Sequence, residues 1–107
     1  MHYGIDVGGT KTEFAIFDGR FTKVDDRRIE TTTTNYQAFV DALAELVRDA
    51  DLVHGDSPSI GVGINGIVDQ SGRSYSVNVP CISGKRVPDD LAKVLGRPVH
   101  CINDVRA

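Results

Sequence analysis

The sequence predicts an α/β protein with elements in the order βββαβαβ. Three observations predict it. Apolar residues alternate through a set of β-rich runs at the start of the chain; one long stripe of helical period follows; and two more apolar runs, separated by a short helical stretch, each end in glycine or polar residues.

The elements follow in order. Tyr3–Val7 reads as strand one, with Ile5 and Val7 on one face, and Thr12–Asp18 as strand two, with Phe14 and Ile16 alternating. Asp18-Gly19 marks a turn, and Arg28-Ile29-Glu30-Thr31-Thr32 reads as a third, β-branched strand, antiparallel like the first two. A helix comes next: Thr34 serves as N-cap with Gln37 three residues on, and Tyr36, Phe39, Val40, Leu43, Leu46, Val47 and Ala50 form its apolar stripe. Ser59–Asn65 is a buried strand running into Gly66, and Ile67–Val77, with Gln70-Ser71-Gly72 inside it, a small hairpin. Pro88, Asp89 and Asp90 open a second helix whose stripe is Leu91, Val94 and Leu95, with Gly96 at C′. After Pro98 a last strand, Val99–Ile102, ends at Asn103-Asp104, polar residues at the place where open α/β sheets bind ligands.

Composition bounds the function. The chain has 107 residues, 40% hydrophobic and 25% charged, the size and make-up of one globular domain. The net charge of −3, with Arg20, Lys23, Arg27 and Arg28 interleaved among Asp18, Asp25 and Asp26, argues against a nucleic-acid partner. No apolar run is long enough to span a membrane and no signal peptide is recognisable, so a soluble, cytoplasmic protein is expected. Cys81 and Cys101 lack metal-type spacing and are read as buried, reduced thiols.

The chemistry concentrates in Asp6-Val7-Gly8-Gly9-Thr10-Lys11. A carboxylate ends one strand, two glycines turn the backbone, and a hydroxyl and an ammonium follow. Consecutive N–H groups in such a turn make a concavity for anionic oxygens, and a carboxylate beside it suits Mg²⁺ held next to phosphates. The pattern is neither a P-loop nor a dinucleotide fingerprint. A plain β-hairpin with a Gly-Gly turn remains open at this point.

Further pieces extend the pattern: Gly61-Val62-Gly63-Ile64, the loop Asn78-Val79-Pro80 followed by Ser83-Gly84-Lys85, and Asn103-Asp104. Together with the first motif and with Tyr36-Gln37-Ala38-Phe39, in this order, they make the chain resemble the ROK family of bacterial sugar kinases and repressors. The resemblance implies a ribonuclease-H-like N-terminal lobe of the actin/hexokinase superfamily, occupying residues 1–107. It implies transfer of the γ-phosphoryl of ATP to the 6-hydroxyl of a hexose, N-acetyl-D-glucosamine in the first place. Glucose, fructose or mannose kinases of the same family, or a sugar-responsive regulator without catalysis, are the alternatives. Asp104 matches the general base and a substrate ligand, and Asn103 a sugar-hydroxyl ligand; Gly66 and Asn78 are further substrate contacts. Gly8, Gly9, Thr10 and Lys11 would hold phosphate oxygens, with Asp6 facing Mg²⁺ through water. The implied partners are a small-molecule sugar and a nucleotide, and, since family members are often dimers, a second copy of the chain. The family's second phosphate loop, adenosine site and structural zinc site have no counterpart in this sequence. They are expected in a C-terminal lobe absent from this chain, and the chain alone is expected to have little or no activity. Three positions depart from the family pattern: Asn65 stands for a usual proline, Thr12 for a commoner aliphatic residue, and Val105-Arg106 for small residues.

Overall fold

The computed structural model describes residues 1–55, 59–64, 67–68, 70–71, 73–76 and 79–102. Five strands form one sheet in the order β3-β2-β1-β4-β7: β1 is His2–Val7, β2 Lys11–Phe17, β3 Lys23–Glu30, β4 Ser59–Ile64 and β7 His100–Cys101. The first three are antiparallel; β4 pairs parallel with β1, and β7 parallel with β4. The helices are α1, Tyr36–His54, and α2, Val87–Leu95. Between β4 and α2 lie a separate two-stranded hairpin, β5 Ile67–Val68 with β6 Ser74–Tyr75, and a 3₁₀ turn at Pro80–Ile82. The expected order therefore holds, with the hairpin inserted.

One face of the sheet carries the core. Tyr3, Ile5 and Val7 of β1, Phe14 and Ile16 of β2 and Ile60, Val62 and Ile64 of β4 are buried there against the α1 stripe of Phe39, Val40, Leu43, Leu46, Val47 and Ala50. The stripe matches its expected spacing, and Ala44 joins it as a further contact too small to have marked itself. On the other face Gly4 and Gly61 are partners across β1 and β4, with Ala15 beside Gly4 on β2.

Two local expectations are corrected. The N-cap of α1 is Asn35, whose side chain accepts from the Ala38 N–H at 2.9 Å, rather than Thr34, because the helix starts one residue later than the capping-box pattern suggests. Strand β3 begins at Lys23, well before the β-branched run, since its pairing with β2 continues through the charged residues 25–28. The turn expected at Asp18-Gly19 is present; its left-handed residue is Phe21 (φ 60°), and the Asp18 side chain caps it by accepting from the N–H groups of Arg20 and Thr22. Gly96 closes α2 at φ 71° as expected, with its N–H on the Ala92 carbonyl at 2.8 Å. The cysteines are free, as expected, but half-buried. No helix among the described residues is long and apolar enough to cross a membrane.

Polar ties lock the layers together. The Tyr3 hydroxyl lies 2.9 Å from Asp51 and 2.8 Å from the Gly55 carbonyl, and Arg97 grips the same Asp51 carboxylate with two 3.1 Å contacts. The Tyr36 hydroxyl donates to Asp90 at 2.5 Å, joining α1 to α2; burial, and then that carboxylate, hold the phenol far above its usual range. Lower down, His54 meets Asp25 at 3.1 Å, tying the end of α1 to the edge strand. This bond holds the Asp25 carboxyl below its ordinary value of 3.8 against the opposing effect of burial. A depressed carboxyl stabilises the fold fully above its unfolded value, and the contribution goes as pH falls through the lower folded value. Wild type is therefore expected to lose stability as pH falls below about 4 that Asp25→Asn, with no carboxyl to protonate, does not lose. Urea midpoints across that range check this; parallel pH profiles for the two proteins would count against it.

Candidate functional site

The chain leaves the sheet at Val7 and turns through Gly8, Gly9 and Thr10 into Lys11, the first residue of β2. The Gly8 N–H donates to the Lys11 carbonyl at 3.0 Å and closes the turn. A Cβ at position 8 would stand 2.9 Å from that carbonyl oxygen, so the close approach needs glycine. Thr31, just past β3, holds the turn from outside: its N–H donates to the Thr10 carbonyl at 2.9 Å and its hydroxyl to the Gly8 carbonyl at 2.8 Å. Gly8 thus spends both its backbone groups within the protein. Among the described residues the N–H groups of Gly9 and Thr10 have no partner.

Asp6 is exposed, and its neighbour across β4 is Gly63, which leaves the space beside the carboxylate open. On the other side it faces Glu13, a like charge that would disfavour the pair. Glu13 is neutralised by Arg28 at 2.7 Å, so of these two facing carboxylates Asp6 is the one with no ion pair among the described residues. A single free carboxylate beside unpaired N–H groups fits Mg²⁺, which takes one or two carboxylates and fills its shell with water and phosphate. Lys11 is exposed, and its ammonium stands 3.9 Å from a still more exposed Glu30, a contact too weak to hold it there.

The expected sugar-side residues Gly66, Asn78, Asn103 and Asp104 lie outside the described residues, as do Asn65, Val105 and Arg106. The strand that leads to Asn103-Asp104 is described. β7 pairs in register with Gly61 and Val62 of β4, and the Ile102 N–H extends the ladder to the Val62 carbonyl at 2.9 Å. Because β1, β4 and β7 run the same way, the bend after β1 and the end of β7 emerge at one end of the sheet. One strand separates them, so they are about 10 Å apart. Ile102 lies over Gly61, where a Cβ would come within 2.7 Å of its Cγ2.

Ser83-Gly84-Lys85 is a turn in which Gly84 (φ 75°) donates to the Ser74 carbonyl and Lys85 receives the Ser74 N–H. That turn sets the Lys85 ammonium 5.3 Å from the centre of the Tyr36 ring. His2 stacks on Phe21, and His54 bonds Asp25; no group of three metal-binding side chains exists among the described residues. A groove of about 470 Å³ beside α2, lined by residues such as Arg73, Lys85, Asp89 and Lys93, contains no residue of the glycine turn. Sequence reasoning missed Thr31 and the Gly61–Ile102 contact. Counting the β2–β3 register back from the Asp18 turn brings Glu30, not Thr31, opposite Thr10, because the pairing shifts by one residue between Phe17 and Ile16.

Known proteins agree with this geometry. The ROK family profile matches residues 2–107. The N-acetylgalactosamine kinase AgaK of Shewanella sp. (strain ANA-3) is 42% identical over 106 residues, covering 99% of this chain and 34% of that protein. The N-acetyl-D-glucosamine kinase of Salmonella newport (strain SL254) is 42% identical over 105 residues, 97% of this chain and 35% of that one. A ROK hexokinase from Thermus thermophilus superposes with a TM-score of 0.83 at 29% identity, over 96% of this chain and 35% of that one. The sheet is thus that of the N-terminal, ribonuclease-H-like lobe of the actin/hexokinase fold, and the chain spans about a third of the length of the curated relatives it matches. With a match running from residue 2 to residue 107, this chain belongs to the ROK family.

Proposed function

We propose that residues 1–107 form the N-terminal lobe of an ATP-dependent kinase that phosphorylates the 6-hydroxyl of N-acetyl-D-glucosamine. A C-terminal lobe supplies the remainder of the site, and the cytoplasm supplies the ATP. The observation that carries this reading is the parallel course of β1, β4 and β7, which supports a cleft with the glycine turn on one side and Asn103-Asp104 on the other. Relatives named as kinases of two 2-acetamido sugars support the choice of substrate.

In this reading Asp104 accepts the proton of the 6-hydroxyl as its oxygen attacks the γ-phosphorus, and the bond to the ADP oxygen breaks. A carboxylate is ionised at neutral pH and needs only hydrogen-bond reach of that hydroxyl. Asn103, which both donates and accepts, orients the sugar, with Gly66 and Asn78 as further contacts. The turn at Gly8–Lys11 receives the phosphate oxygens: Gly8 shapes it, while Gly9, Thr10 and Lys11 face the anion. Asp6 holds Mg²⁺ through water, and the ion, when bound, offsets the charge that builds on the phosphates.

A coupled ATP-consumption assay on the full-length protein, offered N-acetylglucosamine, N-acetylgalactosamine, glucose, mannose and fructose in turn, tests the proposal. ATP-dependent formation of a 6-phosphate, fastest with N-acetylglucosamine, is the expected result. Sugar binding by calorimetry without any turnover would instead make the protein a regulator.

A further inference from the structure

Thr12 stands where the family pattern has an aliphatic residue, and it is only 1% exposed, in the same buried row as Phe14 and Ile16. A buried hydroxyl needs a hydrogen-bond partner, and Thr12 finds one in the Thr31 hydroxyl at 2.9 Å. The direction of that bond follows by counting protons. Thr31 has one hydroxyl proton, which goes to the Gly8 carbonyl, so Thr12 must be the donor to Thr31. The result is a chain from Thr12 through Thr31 to the Gly8 carbonyl, with a parallel bond from the Thr31 N–H to the Thr10 carbonyl.

Those two carbonyls matter because the peptide group is planar and trans. Holding the carbonyl of Gly8 fixes the opposed N–H of Gly9, and holding that of Thr10 fixes the N–H of Lys11. Thr31 draws both carbonyls toward itself and thereby turns both N–H groups away from itself and from the β3 edge. We propose that Thr31 is a positioning residue for nucleotide phosphate, aiming the N–H of Gly9, and that Thr12 sets the orientation of its hydroxyl. This rests on the kinase reading above and adds to it the side chains that shape the turn without touching the ligand.

The test compares Thr31→Val, Thr31→Ser and Thr12→Val in the full-length protein, by ADP titration with Mg²⁺ and by steady-state kinetics. Thr31→Val is expected to weaken ADP and raise KM for ATP by about 10-fold, the scale of one lost hydrogen bond, with KM for the sugar unchanged. Thr31→Ser should recover wild-type values to within about 2-fold, and Thr12→Val should fall between. Thr12→Val keeps the buried volume, so it carries the test if Thr31→Val folds poorly. Equal shifts in the KM values of sugar and ATP, or failure of serine to rescue, overturn the inference. A wild type that binds ADP but phosphorylates no hexose removes the kinase reading, and the ADP titration then decides on Thr31 separately; a wild type that binds no nucleotide removes both.

Discussion

Asp104→Asn is expected to lower kcat of the full-length protein by about 10²–10⁴-fold, the usual contribution of a positioned general base. Asparagine has nearly the same shape and keeps an oxygen able to accept the hydrogen bond of the sugar hydroxyl. It cannot take the proton away, and the attacking oxygen stays a poor nucleophile. Binding should survive: the Kd for the sugar is expected to stay within about 3-fold, less than the loss of one ordinary hydrogen bond would cost. The split between rate and affinity is what distinguishes a base from a mere ligand. Stopped-flow or coupled kinetics beside calorimetric sugar titration would read it, and a kcat within about 10-fold of wild type would remove Asp104 from its proposed role.

The topology that ends β7 on the same side of the sheet as the glycine turn was legible in the sequence to the extent that apolar periodicity could carry it. Ile5 and Val7, Phe14 and Ile16, and the α1 stripe each occupy the faces that their spacing required. What periodicity cannot report is charge-rich pairing. Residues 23–27 lie in β3 although their composition resembles a loop, because an edge strand needs only one neighbour and can leave its charges in water. Local capping was also misread: Thr34 and Asn35 are both good caps, and only the helix geometry chooses Asn35. The glycine turn was visible as a motif, but its support was not. Thr31 looked like one β-branched residue among four threonines until the register of β2 and β3 put its hydroxyl against Gly8.

Gly61 offers a way to move the end of β7 without touching any reacting group. Gly61→Ala is expected to reduce kcat by about 10²-fold, the effect of displacing a reacting group by roughly 1 Å. The new methyl would meet Ile102 Cγ2 at 2.7 Å. Cγ2 sits directly on a β-branched Cβ with little χ1 freedom, so relief requires the Ile102 backbone to shift. Asn103 and Asp104 follow at once in the chain and shift with it. Stability should not fall in step, since an alanine in place of a strand glycine costs the unfolded chain some freedom and favours the fold by up to about 1 kcal/mol. Ile102 is 54% exposed, so Ile102→Ala alone should be tolerated. Combined with Gly61→Ala it removes the clash, and the double variant is expected to regain most of the lost rate, a coupling that a double-mutant cycle measures directly. If Gly61→Ala turns over as fast as wild type, or if Ile102→Ala brings no recovery, then β4 does not set the position of the residues that follow β7.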